Sequence, residues 1–215
     1  MGIYIEAIIL YVVLFFSGTA IQLSSSASQA AGFSVAAEIA KIMLYCIPSL
    51  ALIWYLTIKS WKLEYWSVRP GKKDLISGLI TFPCLLLTSF IVANISKYAG
   101  DNTTQAIIYS PTSAFEWVIL CISCLFAAYL EESFFRFYLI SRRQELNLNA
   151  TSALILSVAL FSVCHIHEGP WGFLNSVLAG VFLAFMFLRY NSLHGIAVAH
   201  ALYNITVYVL NSIVN

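Results

Sequence analysis

The sequence is poor in charged residues. Only 10% of its 215 residues are Asp, Glu, Lys or Arg, whereas 60% are hydrophobic and the mean hydropathy is +0.85. A soluble domain has about 25% charged residues, so this chain could not cover a surface that faces water. No nucleic-acid partner is expected. The lipid bilayer is therefore the expected solvent and partner.

Two further shortages constrain the fold. The chain has five cysteines, an odd number, and all of them fall in apolar segments, which argues against a disulfide framework. The N-terminal stretch lacks a basic flank and a small-residue cleavage site, and Glu6 interrupts it, so we expect no cleavable signal peptide. The first apolar segment should therefore stay as a membrane helix.

Seven segments approach the length of about 20 apolar residues that a helix needs to cross a bilayer. They are residues 3–23, 36–58, 75–97, 115–140, 151–167, 173–189 and 195–213. The pattern predicts an all-α membrane protein with about seven transmembrane helices, six to eight being compatible, around a polar cavity within the membrane. Residues 1–114 would form three N-terminal spans, and residues 115–213 a catalytic core of four.

The basic residues favour one orientation. Those that follow spans two, four and six are Lys59, Lys62, Arg69, Lys72, Lys73, Arg142, Arg143 and Arg189. The alternate connections hold almost none. Because cytoplasmic loops carry an excess of Lys and Arg, the sequence predicts a multi-pass protein of the cell membrane, with its N-terminus in the cytoplasm and its C-terminus outside.

Span four contains three charged residues. Glu131, Glu132 and Arg136 lie deep within it, and each charge at a helix centre costs roughly 2.5–3.5 kcal/mol on insertion scales. Glu132 and Arg136 are four residues apart and share a helical face, which favours an ion pair. Glu131 lies about 140° round the helix from Arg136, so its carboxylate is left available as a general base or acid. A network that only joins helices would not account for Glu131.

Two other apolar spans carry imidazole or amide side chains. Span five contributes Phe161-Ser-Val-Cys-His165, and span seven contributes His200-Ala-Leu-Tyr-Asn204. Each histidine alone could be a hydrogen-bonding link between helices. Together, three helices supply a base, its partner and two oxyanion donors, which are the parts needed for water-driven hydrolysis of an acyl bond.

These segments resemble the motifs of the CPBP intramembrane proteases, a family with CAAX-processing and bacteriocin-processing members. Glu131-Glu132-Ser-Phe-Phe-Arg136 matches its EExxxR motif, Phe161–His165 its FxxxH motif, and His200–Asn204 its HxxxN motif. The three occur in the family's order, and the resemblance covers roughly residues 115–210. It implies a CAAX-type intramembrane endopeptidase that acts on a membrane-associated protein or peptide.

The resemblance also implies a role for each motif residue. Glu131 and His165 would activate the attacking water, and His200 and Asn204 would stabilise the tetrahedral oxyanion. The supporting residues would be Glu132, Arg136 and Phe161. The implied hydrolysis depends on glutamate and uses no metal. Zinc is a minority alternative, because His and Glu side chains are present although a His-Glu-x-x-His helix is not.

Two rivals come from other functional classes. The first is a non-catalytic member of the same family that acts as an immunity or scaffold protein, although a scaffold need not retain the complete set of motif residues. The second is a transporter, since intramembrane Glu, Arg and His can relay protons. The sequence shows neither the repeat symmetry nor the paired broken helices that transporters commonly have.

The predicted spans place the motif residues at unequal depths. At 1.5 Å per residue, Glu131 lies roughly 14 Å from the cytoplasmic end of span four. By the same measure, His165 lies about 21 Å from that end of span five, and His200 lies about 8 Å from that end of span seven. These residues must converge for the implied mechanism. We therefore expect that the helices tilt or begin elsewhere, or that a loop re-enters the membrane.

Overall fold

The structure is a computed structural model that describes residues 2–19, 32–59, 70–100 and 110–214. Every secondary-structure element within these ranges is helical. In the same ranges we number seven helices: α1 (Ile3–Thr19), α2 (Val35–Lys59), α3 (Lys72–Tyr98), α4 (Ala114–Gln144), α5 (Ala150–Cys164), α6 (Gly169–Tyr190) and α7 (Leu193–Val214). A 3-10 turn, Ile166–Glu168, joins α5 to α6. The end of the predicted first span, residues 20–23, lies outside the described residues.

Five of the described helices are long and apolar enough to cross a bilayer, by length and composition: α2, α3, α4, α6 with its preceding turn, and α7. The helices α1 and α5 are apolar but shorter. Large apolar side chains cover the outside of the bundle; Leu44 is 79% exposed, Phe90 67% and Ile213 74%. The predicted fold class, an all-α multi-pass membrane protein, is confirmed. The number of crossings stays a prediction.

Short polar side chains cap the starts of the apolar helices. Asn149 Oδ1 accepts a hydrogen bond from Ser152 N at 2.8 Å at the start of α5. At the start of α4, Ser113 and Glu116 form a capping box in which each side chain accepts from the other residue's backbone N–H, at 3.2 and 3.1 Å. Both caps lie just before the first residues of the apolar segments. The helices α4 and α5 therefore begin close to the predicted starts of spans four and five.

The helix α4 forms the centre of the bundle. All residues of its π-helical segment, Ser133–Ile140, are buried. Ser157 Oγ of α5 donates a hydrogen bond to Phe135 O at 2.8 Å, and Trp54 Nε1 of α2 donates to Ser133 Oγ at 2.9 Å. The widened segment is thus held by both neighbouring helices. Segments of this type are frequent at functional sites.

The helix α7 begins inside the bundle. Ser192, just before it, is fully buried, and its hydroxyl donates to Asp74 Oδ1 at 2.5 Å. Asp74 lies in the first turn of α3, where its Oδ2 accepts from Gly71 N at 2.8 Å. A Cβ atom on Gly195 would lie 2.2 Å from Asp74 O, so only glycine permits this approach of α7 to α3. One carboxylate therefore holds the starts of two helices together.

The helix α1 is anchored to the C-terminal end of α4. Glu6 Oε1 accepts hydrogen bonds from the Tyr138 hydroxyl at 2.7 Å and from Arg142 Nη1 at 2.8 Å. The Tyr4 hydroxyl donates to Leu146 O at 2.9 Å. The start of α1 therefore lies at the same end of the bundle as the end of α4.

Candidate active site

Glu132, Arg136 and His200 form a buried cluster between α4 and α7. Arg136 Nη1 donates to Glu132 Oε1 at 3.0 Å, and both side chains are 0% exposed. His200 Nδ1 lies 2.9 Å from the same oxygen, so Nδ1–H donates to the carboxylate. The structure thus contains the ion pair that the four-residue spacing predicts. Buried charges are tolerated when they are paired and hydrogen-bonded. Here the pairing runs through Glu132 Oε1, while Glu132 Oε2 and Arg136 Nε have no hydrogen-bond partner among the described residues.

Glu131 lies beside the cluster but does not share its hydrogen bonds. Its Oε2 is 3.7 Å from His200 Nε2, on the opposite edge of the imidazole from Glu132. That oxygen is buried and has no hydrogen-bond partner among the described residues. The Glu131 side chain as a whole is 24% exposed, against 0% for Glu132. The ring of His200 therefore stands between one bound carboxylate and one available carboxylate.

Phe161 and Gly180 complete the surroundings of Arg136. Arg136 Nη2 donates to Gly180 O of α6 at 3.3 Å, and the guanidinium lies 4.5 Å from the centroid of the Phe161 ring, a cation–π contact. The Phe161 and His200 ring centroids are 6.1 Å apart. A Cβ atom on Gly180 would lie 3.2 Å from Phe161 Cδ1, so the missing side chain lets α6 approach closely. Phe161 packs against Arg136 and His200 at once.

His165 is the residue that caps the C-terminus of α5. Its Nδ1 lies 2.8 Å from Phe161 O, so Nδ1–H donates to that carbonyl and Nε2 is the unprotonated nitrogen of the neutral ring. The His165 and Phe161 ring centroids are 4.5 Å apart. The predicted fifth span ran past this point to residue 167, which is wrong, because the chain turns into α6 at Gly169 with a φ of +79°. His165 is half-buried at a helix end.

Asn204 follows His200 by about one turn of α7 and is half-buried. Within the described part of the chain, no hydrogen bond joins its amide to Glu131, His165 or His200. The structure therefore brings Glu131 and His200 together directly and connects His165 to His200 through Phe161. Asn204 is related to them by its position on α7 alone.

The four helices of the core place the motif residues at two levels. The first level is a layer of residues in contact: Arg136, Phe161, Gly180 and His200. Consecutive helices of the core run in opposite directions. The direction towards the N-terminus of α4 is therefore the same as the direction towards the C-termini of α5 and α7. At 1.5 Å per residue, Glu131, His165 and Asn204 all lie about 6–8 Å beyond the first layer.

This arrangement corrects the unequal depths that the predicted spans gave. The helix α4 continues to Gln144 and not to residue 140, so Glu131 lies about 20 Å from its end, close to the roughly 22 Å of His165 along α5. The helix α7 starts beside the fully buried Ser192, so its first residue already lies below the surface of the bundle. A depth counted from that residue therefore underestimates the depth of His200 in the bundle. Glu131, His165 and Asn204 therefore lie at similar depths without a re-entrant loop among the described residues.

Sequence reasoning missed one polar pair at the second level. Asn175 Nδ2 of α6 donates to the Tyr203 hydroxyl of α7 at 2.9 Å. The Oδ1 of Asn175 is buried and has no hydrogen-bond partner among the described residues. Asn175 lies five residues before Gly180, on the side of the layer where Glu131 lies. An asparagine within an apolar span was visible in the sequence, but it belongs to none of the three motifs.

The described residues contain no group of three His, Cys, Asp or Glu side chains placed to hold a metal ion. Nδ1 of His165 is bound by a backbone oxygen, and so is Nδ1 of His167, at 2.9 Å from Cys164 O. Glu132 is bound by Arg136 and His200. Hydrogen bonds from Nδ1 to a backbone oxygen also orient histidines that ligate metals through Nε2, so the metal-free chemistry that the resemblance implies stays a prediction.

An apolar groove of about 390 Å³ lies beside the site, between α2 and α4. Its lining residues are Leu50, Ala51, Trp54, Leu125, Phe126 and Tyr129. The groove comes within two residues of Glu131 along α4. Because no carboxylate or imidazole lines it, the groove is separate from the polar cluster.

The fold and the site define a class: a multi-pass helical membrane protein whose last four described helices surround buried carboxylate and imidazole groups. Residues 113–206, which include every motif residue, match the family described as type II CAAX prenyl endopeptidase, Rce1-like. The match covers less than half of the chain, and it confirms the resemblance to the CPBP intramembrane proteases for that region. Comparison with curated proteins and with solved structures gave no significant match.

Proposed function

We propose that the chain is an intramembrane endopeptidase that hydrolyses a peptide bond near the C-terminal or membrane-proximal part of a membrane-associated protein or peptide. The different state of two adjacent glutamates carries this proposal. Glu132 Oε1 accepts hydrogen bonds from Arg136 and His200 and its side chain is 0% exposed, whereas Glu131 accepts no hydrogen bond from the described residues and its side chain is 24% exposed. A network that only joined helices would not need the second carboxylate. The Rce1-like match supports the same reaction class.

In the proposed reaction, Glu131 is the general base. Its carboxylate accepts a proton from a water molecule while the water oxygen attacks the carbonyl carbon of the scissile peptide bond. The electron pair of the C=O π bond moves to oxygen and gives a tetrahedral oxyanion. When the intermediate collapses, the C–N bond breaks and the leaving nitrogen takes the proton held by Glu131. One water is consumed, and Glu131 returns to its starting state.

His165 is the proposed partner of Glu131 in orienting the water. The bond from its Nδ1–H to Phe161 O fixes the ring and leaves Nε2 as an acceptor. A water held by both residues would donate one hydrogen to Glu131 and the other to His165. The similar levels of Glu131 and His165, about 6–8 Å beyond the contact layer, support this pairing.

His200 and Asn204 are the proposed oxyanion donors. Asn204 would donate from its amide, and His200 from Nε2 when both of its ring nitrogens carry hydrogen. Glu132, which accepts from Nδ1 at 2.9 Å, orients the ring and balances its positive charge. Removal of one oxyanion donor typically lowers kcat by about 10²–10³-fold. The proposed steps use only residues of this chain and water.

The proposal is tested by comparing the termini of membrane proteins in source cells that contain either wild-type protein or Glu131→Gln at equal abundance. We expect new C-termini or N-termini only with wild type, and these would also identify the substrate. Identical termini would overturn the proposal. If Glu131→Gln also rescued the phenotype of a deletion strain, the result would favour the immunity or scaffold role.

A further inference from the structure

Asn175 and Tyr203 form a polar pair inside the apolar core domain. Asn175 Nδ2 donates to the Tyr203 hydroxyl at 2.9 Å, and both residues are half-buried. This bond fixes the orientation of the amide and leaves Oδ1 buried without a donor among the described residues. Since Tyr203 accepts from Asn175, its own O–H remains available to donate. The pair thus offers one acceptor and one donor.

A peptide group presents the complementary set, one N–H donor and one C=O acceptor. A peptide bond within a helix is shielded, so a substrate must be extended around the bond that is cleaved. In a bilayer, the backbone groups exposed by unwinding have no water to bind, and each unsatisfied group costs several kcal/mol. A protease acting there therefore needs protein groups that bind the substrate main chain beside the catalytic residues.

The pair lies where such binding is needed. Tyr203 directly precedes Asn204, and it follows His200 by about 4.5 Å along α7 at 1.5 Å per residue. Asn175 lies about 7.5 Å before Gly180 along α6, at the level of Glu131 and His165. Both residues therefore lie at the level of the proposed site along their helices and outside the contacts that hold Arg136 and Glu132.

We propose that Asn175 and Tyr203 bind the main chain of an extended peptide substrate, with Asn175 Oδ1 accepting from a substrate N–H and the Tyr203 hydroxyl donating to a substrate C=O. This inference rests on the proposed endopeptidase function and adds the groups that hold the substrate. The two residues take no part in proton transfer. They act by fixing the position of the peptide relative to Glu131.

The test uses full-length protein in liposomes and a quenched-fluorescent peptide that spans the cleavage site mapped by the terminus comparison. Asn175→Leu removes the acceptor at similar volume, and Tyr203→Phe removes only the hydroxyl. Matched controls are Asn94→Leu and Tyr98→Phe on α3, where Asn94 bonds its own helix at Phe90 O and Tyr98 is 91% exposed. A second series of peptides carries a single N-methyl group at each position in turn.

Each site variant should lower kcat/KM about 3- to 10-fold, as expected for the loss of one hydrogen bond, while the controls stay near wild type. For one N-methylated peptide, kcat/KM with wild type should fall by a similar factor. With Asn175→Leu, the same N-methyl group should cause no further fall in kcat/KM. A role in helix packing alone would not produce that coupling. If wild-type protein cleaves the peptide, either of two results would overturn this inference alone. The first is an unchanged kcat/KM in Asn175→Leu, and the second is an N-methyl effect of equal size in wild type and Asn175→Leu. Failure of wild type to cleave any peptide would overturn the proposed function and this inference with it.

Discussion

At the scale of single residues, the site depends on two neighbouring carboxylates with different surroundings. Side chains of consecutive residues on a helix point about 100° apart. Glu132 is therefore turned into the contact with His200 of α7, while Glu131 is directed to the opposite edge of the same imidazole. The same chemical group is structural at one position and available for chemistry at the next.

Glu132→Gln should destabilise the protein far more than Glu131→Gln does. The substitution leaves the fully buried Arg136 without its counter-charge, and breaking a buried ion pair typically lowers the free energy of unfolding by about 3–5 kcal/mol. Denaturant unfolding in detergent micelles would measure both variants. Equal losses of stability would contradict the separate roles of the two glutamates.

His165→Gln should lower turnover by about 10²-fold or more, the usual size of a proton-transfer contribution. His167→Gln is the matched control, because each imidazole binds a backbone carbonyl through Nδ1, at 2.8 and 2.9 Å, beside the same turn. We expect the control to retain activity within a few-fold of wild type. Comparable losses in the two variants would show that the turn as a whole, and not His165 itself, supports activity.

At the scale of helices, the start of α7 fixes the position of His200. Asp74 of α3 accepts from the Ser192 hydroxyl, and Gly195 lies against the backbone of Asp74. This anchor is one and a half turns from His200, so a shift of the α7 start is transmitted along a continuous helix. The geometry of the proposed active site thus depends on a contact far from its chemistry.

Gly195→Ala should destabilise the protein by about 1–3 kcal/mol, the range for inserting atoms into a packed interior. Its Cβ would lie 2.2 Å from Asp74 O, a backbone atom that cannot rotate away. Gly18→Ala on α1 is the control, since no heavy atom outside its own stretch of helix lies within 4 Å of the corresponding Cβ position. Thermal unfolding and turnover would both be measured. If Gly195→Ala matched Gly18→Ala in both, the close approach would not matter.

The helices were predictable from the sequence because a bilayer permits few backbone structures, and the ion pair was predictable because it lies within one helix. The four-residue spacing of Glu132 and Arg136 specifies their contact directly. Features that depend on contacts between helices were not predictable. Bonds such as that from Ser157 Oγ to the π-helical segment leave no periodic signal. The same holds for the hydrogen bond from the Ser192 hydroxyl to Asp74 at the start of α7.

At the scale of the whole molecule, several charges within the helices are paired, and the basic residues Arg142 and Arg143 lie at one end of the bundle. Lys41 of α2 pairs with Glu38 at 3.3 Å, and Arg142 pairs with Glu6 at 2.8 Å. The pair to Glu6 places the start of α1 at the end of the bundle that carries Arg142. Because cytoplasmic segments are rich in basic residues, we predict that this end faces the cytoplasm.

Alkaline phosphatase fused after the C-terminus should therefore be active outside the cell membrane, and a fluorescent protein fused before the N-terminus should fold in the cytoplasm. Fusions of both reporters between Arg143 and the start of α5 provide the control, because that connection should be cytoplasmic. An inactive C-terminal phosphatase with a fluorescent C-terminal fusion would contradict the predicted orientation.

Cleavage by purified protein in liposomes, with wild type and Glu131→Gln compared on the peptide mapped in cells, tests the central claim most directly. We expect turnover by wild type and none above background by Glu131→Gln, with nearly equal thermal stability because Glu131 lies outside the buried ion pair. Full activity in Glu131→Gln, or no cleavage by folded wild-type protein, would contradict it.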